Sequence, residues 1–405
     1  MYSFILPTRT WPDDIQSLTS REELVRCYFE EGLTYKEILQ CLAASHAVVI
    51  SLRTLKRIVK RMNLRRRVPF TEERALKAIK GIQKHLRESG QCLGYKAMHR
   101  RLQKEGLIVG RDQVRFMLKG LDIQGVNDRA RRRLKRRQYV NPGPNFVWHI
   151  DGYDKLKPYG FAIHGAIDGF SRRVIWLQVG VTNNDPKVIM SYFIDAVRKL
   201  QYIPTIIRSD HGTENGLVED LQIGLRSQFN DTFCGRKSFR KGKSSSNQRI
   251  ERWWGILRQQ CVNFWMNLFK DLISLGILEN GDPLHINALR FCFMDLIEAD
   301  IHRCAKEWNE HRIQPRKNRE GPAGKPNLLF FHPELVEATT HSFPADLIAL
   351  DEIQCELEAN GYIPPQHDPT FTRLVNVLVP DWKIPENVDE GLRLYGQIID
   401  SLRGR

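Results

Sequence analysis

The sequence predicts a mixed α/β domain in the middle of the chain, preceded by all-α units. Up to residue 121, apolar residues recur at helical spacing. A break at 141–144 (NPGP) follows, and beyond it short β-rich runs alternate with turn residues and one amphipathic helix. We therefore divide the chain into a first helical region (1–67), a second (68–128), a basic linker (129–144), an α/β domain with a helical extension (145–330) and a C-terminal region of unknown role (331–405).

Composition excludes several classes of protein. Of the 405 residues, 41% are hydrophobic and 27% charged, which is unlike disordered or fibrous chains. No run of about 18 apolar residues occurs, so we expect no membrane span. The start, Met1 to Trp11, lacks the pattern of a secretory signal, and the eight cysteines form no Cys-x-x-Cys pair. We therefore expect an intracellular protein with reduced thiols.

Positive charge is concentrated in one part of the chain. The net charge is +15, but residues 1–50 contribute −3, residues 51–140 contribute +20 and the remainder −2. Such a block usually faces a polyanion, and nucleic acid is the commonest one. A solvated linker is the alternative. We favour nucleic acid because the charge lies on patterned segments.

The first helical region has the element order of a helix-turn-helix. Ser20 with Glu23, and Thr34 with Glu37, have capping-box spacing, and Gly32 separates the two helices that they begin. A third helix is predicted from Ser51. Its outer face is basic and is expected to contact DNA through Arg53, Lys56, Arg57, Lys60 and Arg61. Any three-helix bundle could share this periodicity, so that interpretation stays open.

The second helical region is predicted to contain three helices, followed by a strongly basic run. Helices are expected from Thr71 to about Glu88, over 94–102 and over 111–121. Residues 129–137 hold seven basic residues in nine. We expect this run to contact DNA and, in a eukaryotic cell, to direct the protein to the nucleus. The residues concerned are Arg131, Arg132, Arg133, Lys135, Arg136 and Arg137.

Strand patterns follow the break. Strands are predicted over 146–151, 161–168, 174–179 and 204–209, with a tight hairpin at 169–172. Asp185 and Pro186 are a typical N-cap and first residue of a helix. Three antiparallel strands, a helix and a further strand make a mixed α/β sheet.

Three carboxylates occur at places where this order would bring them together. Asp151 and Asp210 end two strands, and Glu251 lies early on a helix after a basic stretch, 235–247, that is predicted to be flexible, with Asn247 as the helix cap. Converging carboxylates repel one another and suit hard cations such as Mg²⁺ or Mn²⁺. Two such ions would activate a nucleophile and stabilise a leaving oxygen in phosphodiester transfer. The alternative is that the aspartates only cap turns.

Four motifs resemble the integrase catalytic core of retroviral and retrotransposon integrases and DDE transposases. They occur in the family's order, over about 145–320, as WHID at 148–151, AIDGFSR at 166–172, RSDHGTEN at 208–215 and NQRIER at 247–252. The resemblance implies a ribonuclease H-like fold, with a mixed five-stranded sheet and flanking helices. It also implies a DNA substrate and assembly of the protein as a homo-oligomer on DNA.

The same resemblance implies roles for single residues. Asp151, Asp210 and Glu251 would be the catalytic triad that holds two Mg²⁺ or Mn²⁺ ions per site. Asp168 would be structural. The residues expected to line the site are His211, Gly212, Asn215 and Asn247.

Some features depart from retroviral integrases. The 40-residue gap between Asp210 and Glu251 is longer, and the N-terminal His/Cys zinc module is missing. Residues 94–99 and 109–118 instead resemble the winged or helix-turn-helix region of bacterial insertion-sequence transposases. Within the long gap, Lys241 and Lys243 either grip the DNA backbone or lie on a solvated loop.

The sequence therefore predicts a DNA integrase or transposase-like polynucleotidyl transferase with metal-dependent strand cleavage and transfer. The alternative is a domesticated, transposon-derived DNA-binding protein without catalysis, although such copies often lose a carboxylate and all three are present here. A ribonuclease H-like nuclease without strand transfer would not explain the two helical regions.

Overall fold

A computed structural model describes residues 20–66, 68–88, 93–122, 141–243, 247–315, 321–361 and 366–403. The basic run at 129–137, with its six predicted DNA contacts, lies outside the described residues.

The first helical unit consists of α1 (Arg21–Glu30), α2 (Tyr35–His46) and α3 (Leu52–Arg61). Both predicted capping boxes are confirmed, because each cap hydroxyl accepts the N–H three residues on and each glutamate accepts the N–H of its cap residue. The three helices enclose a core of their own, which includes Leu24, Tyr28, Ile38, Leu42, Leu55 and Ile58.

The second helical unit consists of α4 (Glu72–Arg87), α5 (Tyr95–Lys104) and α6 (Arg111–Leu121). The Thr71 hydroxyl caps α4 by accepting the N–H of Arg74, as predicted. The core of this unit includes Ile82, Met98, Leu102, Val114 and Leu118.

The middle of the chain forms a five-stranded mixed sheet, which confirms the predicted fold class. Its strands are β1 (Val147–Tyr153), β2 (Ala162–Asp168), β3 (Val174–Gly180), β5 (Ile206–Ser209) and β6 (Phe239–Lys241), in the order β3-β2-β1-β5-β6. β1 is antiparallel to β2 and parallel to β5, and β5 is parallel to β6. The arrangement is consistent with a ribonuclease H-like fold.

Two sequence predictions need correction here. The strand predicted over 204–209 is two strands, because β4 (Tyr202–Pro204) pairs with β7 (Ser342–Pro344) in a separate sheet before β5 joins the main one. The stretch predicted as a flexible basic loop supplies β6, whose Ser209↔Lys241 register gives the main sheet its fifth strand.

Helices cover both faces of the sheet. On one face lie α7 (Pro186–Leu200), α8 (Gly216–Ser227), α12 (Pro326–Phe331) and α13 (Leu347–Ala359). On the other lie α9 (Gln248–Leu257), α10 (Asn263–Ser274), α11 (Pro283–Glu310), α14 (Pro369–Leu378) and α15 (Val388–Leu402). The C-terminal region thus adds helices to both faces. None of the helices in the described ranges combines the length and apolar character that a membrane span requires.

Ion pairs hold both helical units against the end of α11 and the segment after it. Arg101 of α5 donates to Glu307 of α11 at 3.0 Å, and the two side chains are 5% and 2% exposed. Glu37 of α2 pairs with Arg312. The Arg101–Glu307 pair is buried, so removal of one partner would be strongly destabilising, whereas the Glu37–Arg312 pair is partly exposed and contributes less.

Candidate active site

The alternation of side chains along β1 directs Asp151 towards α9. Trp148 and Ile150 belong to the core under α7, whereas Tyr153 belongs to the core under α9. Asp151 has the parity of Tyr153, so both side chains leave the sheet on the α9 face.

The register places Asp151 beside Asp210. His149 is the partner of Arg208 in the parallel pairing of β1 with β5. Two residues further along each strand direction are Asp151, within β1, and Asp210, directly after the end of β5. Adjacent strands lie about 4.8 Å apart, so the two aspartates leave the sheet edge side by side.

The electrostatics of Asp151 reflect this convergence. The pKa of Asp151 is raised to about 7, chiefly by burial and also by the charges of Glu251 and Asp210, although the hydrogen bond from Trp254 lowers it. A carboxyl with a pKa raised by its acidic neighbours marks a site where negative charge is concentrated.

The loop after β5 begins with a turn that Asp210 itself caps. The Gly212 N–H donates to Asp210 Oδ1 at 3.0 Å. His211 is exposed, whereas Asn215 is fully buried and its amide donates to Glu214 at 2.8 Å. Gly212 and Asn215 thus shape the loop around Asp210.

Asn247 joins α9 to β1, which the sequence did not predict. It stands at the N-cap position of α9 but makes no side-chain cap bond. Instead, its amide donates to the Ile150 carbonyl at 2.9 Å, and its oxygen lies 2.6 Å from His149 Nδ1. The oxygen must accept, so His149 Nδ1 carries the proton. Burial lowers the pKa of His149 to about 3, which keeps this imidazole neutral.

Glu251 lies in the first turn of α9 and is exposed. Trp254 follows one turn later and is 5% exposed. Its indole N–H donates to Asp151 Oδ2 at 2.9 Å. The periodicity of α9 predicts a core position for Trp254, which is confirmed, but the contact with Asp151 is additional.

Asp168 has the structural role that the resemblance implied. It is fully buried at the hairpin after β2, where its carboxylate accepts three backbone N–H groups and the Ser171 hydroxyl. The carboxylate therefore holds the hairpin together.

One acidic residue near the site was not predicted. Glu214 is half-buried, and its pKa is raised by burial and by the nearby charges of Asp210 and Asp154. It occurs within the RSDHGTEN motif, so its position was visible although its proximity to Asp210 was not.

The predicted DNA contacts lie on exposed surface wherever they are described. Arg53, Lys56, Arg57, Lys60 and Arg61 are all exposed on α3, and Arg61 also pairs with Glu22 at 2.6 Å. Near the site, Lys241 pairs with Glu219 of α8, and Lys243 is exposed. Their role in DNA binding stays a prediction.

The three carboxylates are ligands of the kind that a hard divalent cation prefers. Asp151, Asp210 and Glu251 offer oxygen ligands only, and a cation would offset the burial and the repulsion that together raise the pKa of Asp151. Across the described ranges, no three His, Cys, Asp or Glu side chains stand close enough to form a ready-made metal site.

Comparison with known proteins decides the family. The family model described as the integrase core domain matches residues 138–342, half of the 405-residue chain. The chain belongs to the integrase core family. Integrases of this family are polynucleotidyl transferases that act on DNA and generally use divalent metal ions.

The chain is also similar to solved structures. A chain of the simian T-cell lymphotropic virus intasome, solved by cryo-electron microscopy in complex with the PP2A regulatory subunit B56 gamma, is 16% identical. The match covers 64% of this integrase-family chain and 77% of that chain, with a TM-score of 0.32. No curated protein matches. The family model therefore carries the assignment.

Proposed function

We propose that the chain catalyses metal-dependent cleavage and transfer of DNA strands through Asp151, Asp210 and Glu251. The observation that carries the proposal is the parallel register of β1 and β5, which brings Asp151 and Asp210 onto neighbouring strands, with the Glu251 helix bonded to β1 through Asn247 and Trp254. The three carboxylates belong to three different parts of the backbone. The packing of these parts fixes each carboxylate in place against the repulsion between their charges.

The three carboxylates would hold two Mg²⁺ or Mn²⁺ ions. Bound ions of this kind lower the pKa of the attacking water or hydroxyl and stabilise the leaving oxygen. The supported reaction has two stages. Water first hydrolyses a phosphodiester of the donor strand and leaves a 3′-hydroxyl. That hydroxyl then displaces the 3′-oxygen of a phosphodiester in target DNA.

Residues around the triad would position it. Asn247 ties the start of α9 to β1, so the backbone that carries Glu251 is fixed relative to that of Asp151. Gly212 donates to Asp210 and limits its rotation. Neutral His149 takes part as an N–H donor to Asn247 and adds no charge to the site.

DNA would be bound by the two helical units and the basic surfaces. The exposed basic face of α3 suits the recognition helix of a helix-turn-helix that binds donor DNA ends. In the second unit, α6 is the last of the three helices. Lys243 lies in the segment between β6 and α9 and would contact a phosphate near the triad. We further propose assembly as a homo-oligomer on DNA, and a nuclear location if the host is eukaryotic.

A strand-transfer assay tests the proposal. Purified protein is incubated with Mg²⁺ or Mn²⁺, labelled candidate end DNA and supercoiled plasmid. Glu251→Gln keeps the size of the side chain but removes its charge, and Glu352→Gln, on the exposed surface of α13, is the matched control. We expect joined products from the wild type and the control and none from Glu251→Gln.

The opposite result has a clear meaning. Tight DNA binding by all three proteins, without nicking or joining of the correct end DNA, would refute catalysis and favour a domesticated DNA-binding protein.

A further inference from the structure

We propose that Trp254 is a positioning residue for Asp151, and that Gly165 provides the space that allows it to act. This inference rests on the proposed function of Asp151. The sequence predicts only core packing for Trp254.

The contact is direct and shielded. The Trp254 Nε1–H donates to Asp151 Oδ2 at 2.9 Å, and the indole is 5% exposed. A hydrogen bond from a neutral donor to an ionised acceptor is stronger than one between neutral groups. The indole therefore fixes the position of one oxygen of this carboxylate.

The indole is held in place by two contacts from the sheet. It stacks on Tyr153, with ring centres 5.0 Å apart and planes 30° apart. It also lies over Gly165, where an added Cβ would stand 2.9 Å from Trp254 Cη2. Gly165 is the partner of Asp151 in the β1–β2 register. The residue opposite the catalytic aspartate thus lacks a side chain where the indole passes.

Helix geometry connects this bond to Glu251. Residues three apart lie on the same helix face, so Glu251 is a neighbour of Trp254 on α9, and its charge acts on Asp151. α9 therefore supplies one carboxylate of the triad and the donor that orients another. Removal of a group that hydrogen-bonds to a metal-ligating side chain typically lowers metal affinity or activity by about 10–100-fold.

The neighbouring tryptophan is a matched control. Trp253 is 1% exposed and packs on Trp308 with ring centres 5.3 Å apart. Its indole N–H has no hydrogen-bond partner among the described residues. Replacing either tryptophan by phenylalanine removes a buried indole from the same helix, but only Trp254→Phe removes a donor to Asp151.

The test measures metal binding and strand transfer separately. Calorimetric titration of the DNA-free protein with Mn²⁺ gives its affinity, and the plasmid assay gives the rate. For Trp254→Phe we expect Mn²⁺ affinity and rate to fall by about 10-fold or more. Trp253→Phe should keep the wild-type Mn²⁺ affinity. Circular dichroism should show the same helix content in both variants.

A second variant retains the indole. Gly165→Ala leaves every tryptophan in the chain but places a methyl group 2.9 Å from Trp254 Cη2 and 3.1 Å from Leu177 Cδ1. We expect the displaced indole to weaken Mn²⁺ binding in the same direction as Trp254→Phe, with helix content unchanged by circular dichroism. Gly165→Ala replaces Trp254→Phe as the deciding variant if that protein does not fold.

Asp151→Asn separates the failure of this inference from the failure of the proposed function. If Asp151→Asn abolishes Mn²⁺ binding and joining while Trp254→Phe and Gly165→Ala behave like Trp253→Phe, positioning by Trp254 is refuted and the triad stands. If Asp151→Asn keeps wild-type Mn²⁺ affinity and activity, the proposed function is refuted and this inference falls with it.

Discussion

Replacing Asp151 by asparagine should make the metal-free protein more stable while it removes catalysis. The pKa of Asp151 is raised from 3.8 to about 7, chiefly by burial and then by its acidic neighbours. The ionised form is therefore penalised in the folded state. Asparagine keeps the shape and an oxygen that accepts the Trp254 N–H, but it carries no charge.

The size and the pH dependence of the gain follow from the pKa. A change of about 3 pH units corresponds to about 4 kcal/mol, and partial access of solvent reduces this to about 2–4 kcal/mol. Because the folded pKa is raised, the folded protein binds a proton that the unfolded chain does not between the two pKa values. The penalty is thus complete above about pH 7, falls to about a third at pH 5 and vanishes below about pH 3.8.

Thermal unfolding in EDTA at pH 8 and pH 5 measures this difference. At pH 8 we expect Asp151→Asn to unfold several degrees above the wild type, at about 2–4 °C per kcal/mol for a domain of this size. Asp154→Asn is the control, since that side chain is 61% exposed. Added Mg²⁺ should stabilise the wild type more than the variant.

Two results would refute this reasoning. One is an Asp151→Asn protein that is no more stable than the wild type at pH 8. The other is a gain of equal size at pH 5, which would indicate a cause other than the charge.

Two further predictions concern the support of α9 and DNA binding. Asn247→Ala should lower the free energy of unfolding by about 2–4 kcal/mol in a denaturant titration, because it leaves the Ile150 carbonyl and the His149 N–H buried without their amide partner. The control is Asn360→Ala, at the exposed end of α13, which should lower the free energy of unfolding much less. Equal losses in the two variants would contradict this prediction. DNA affinity should fall steeply with salt, and Arg57→Gln should reduce the slope of log K against log salt by about 0.9. An unchanged slope in a fluorescence-anisotropy titration would remove α3 from the interface.

Helix ends could be predicted because caps are local. Ser20, Thr34, Thr71 and Asp185 each accept an N–H from the first turn of their own helix. No distant residue takes part, so three or four consecutive residues determine where each helix begins. The same reasoning gave the wrong role to Asn247, because its amide bonds to β1, which lies about a hundred residues earlier in the chain.

The fifth strand could not be predicted from pattern. β6 has three residues, of which only Phe239 is buried and the other two are basic. Its strand conformation comes from pairing with β5 at the edge of the sheet, which is a tertiary effect. A short edge strand with exposed charge has the sequence signature of a loop.

The triad was identified by resemblance, and the order of the elements supports it. Asp210 directly follows the end of β5, as the sequence predicts, whereas Asp151 lies within β1, which continues to Tyr153 instead of ending at residue 151. The adjacency of the two aspartates depends on the parallel pairing of β1 with β5. The bond from Trp254 depends on three elements at once, since α9 must dock on β1 where β2 has a glycine. Periodicity indicates only that this face of α9 is buried.

The docking of α9 on β1 is therefore the step that assembles the site. Asn247, Glu251 and Trp254 are spaced by four and three residues, so they fall on one helix face, where Asn247 and Trp254 bond to β1 and the charge of Glu251 acts on Asp151. Asn247 bonds to the backbone before Asp151, and Trp254 bonds to Asp151 itself. A shift of α9 by one residue would rotate that face by about 100° and remove all three from β1 at once. The docking of α9 thus places Glu251 and orients Asp151 in a single step. Substitutions at Asn247 or Trp254 should therefore disturb the proposed triad although all three of its carboxylates remain.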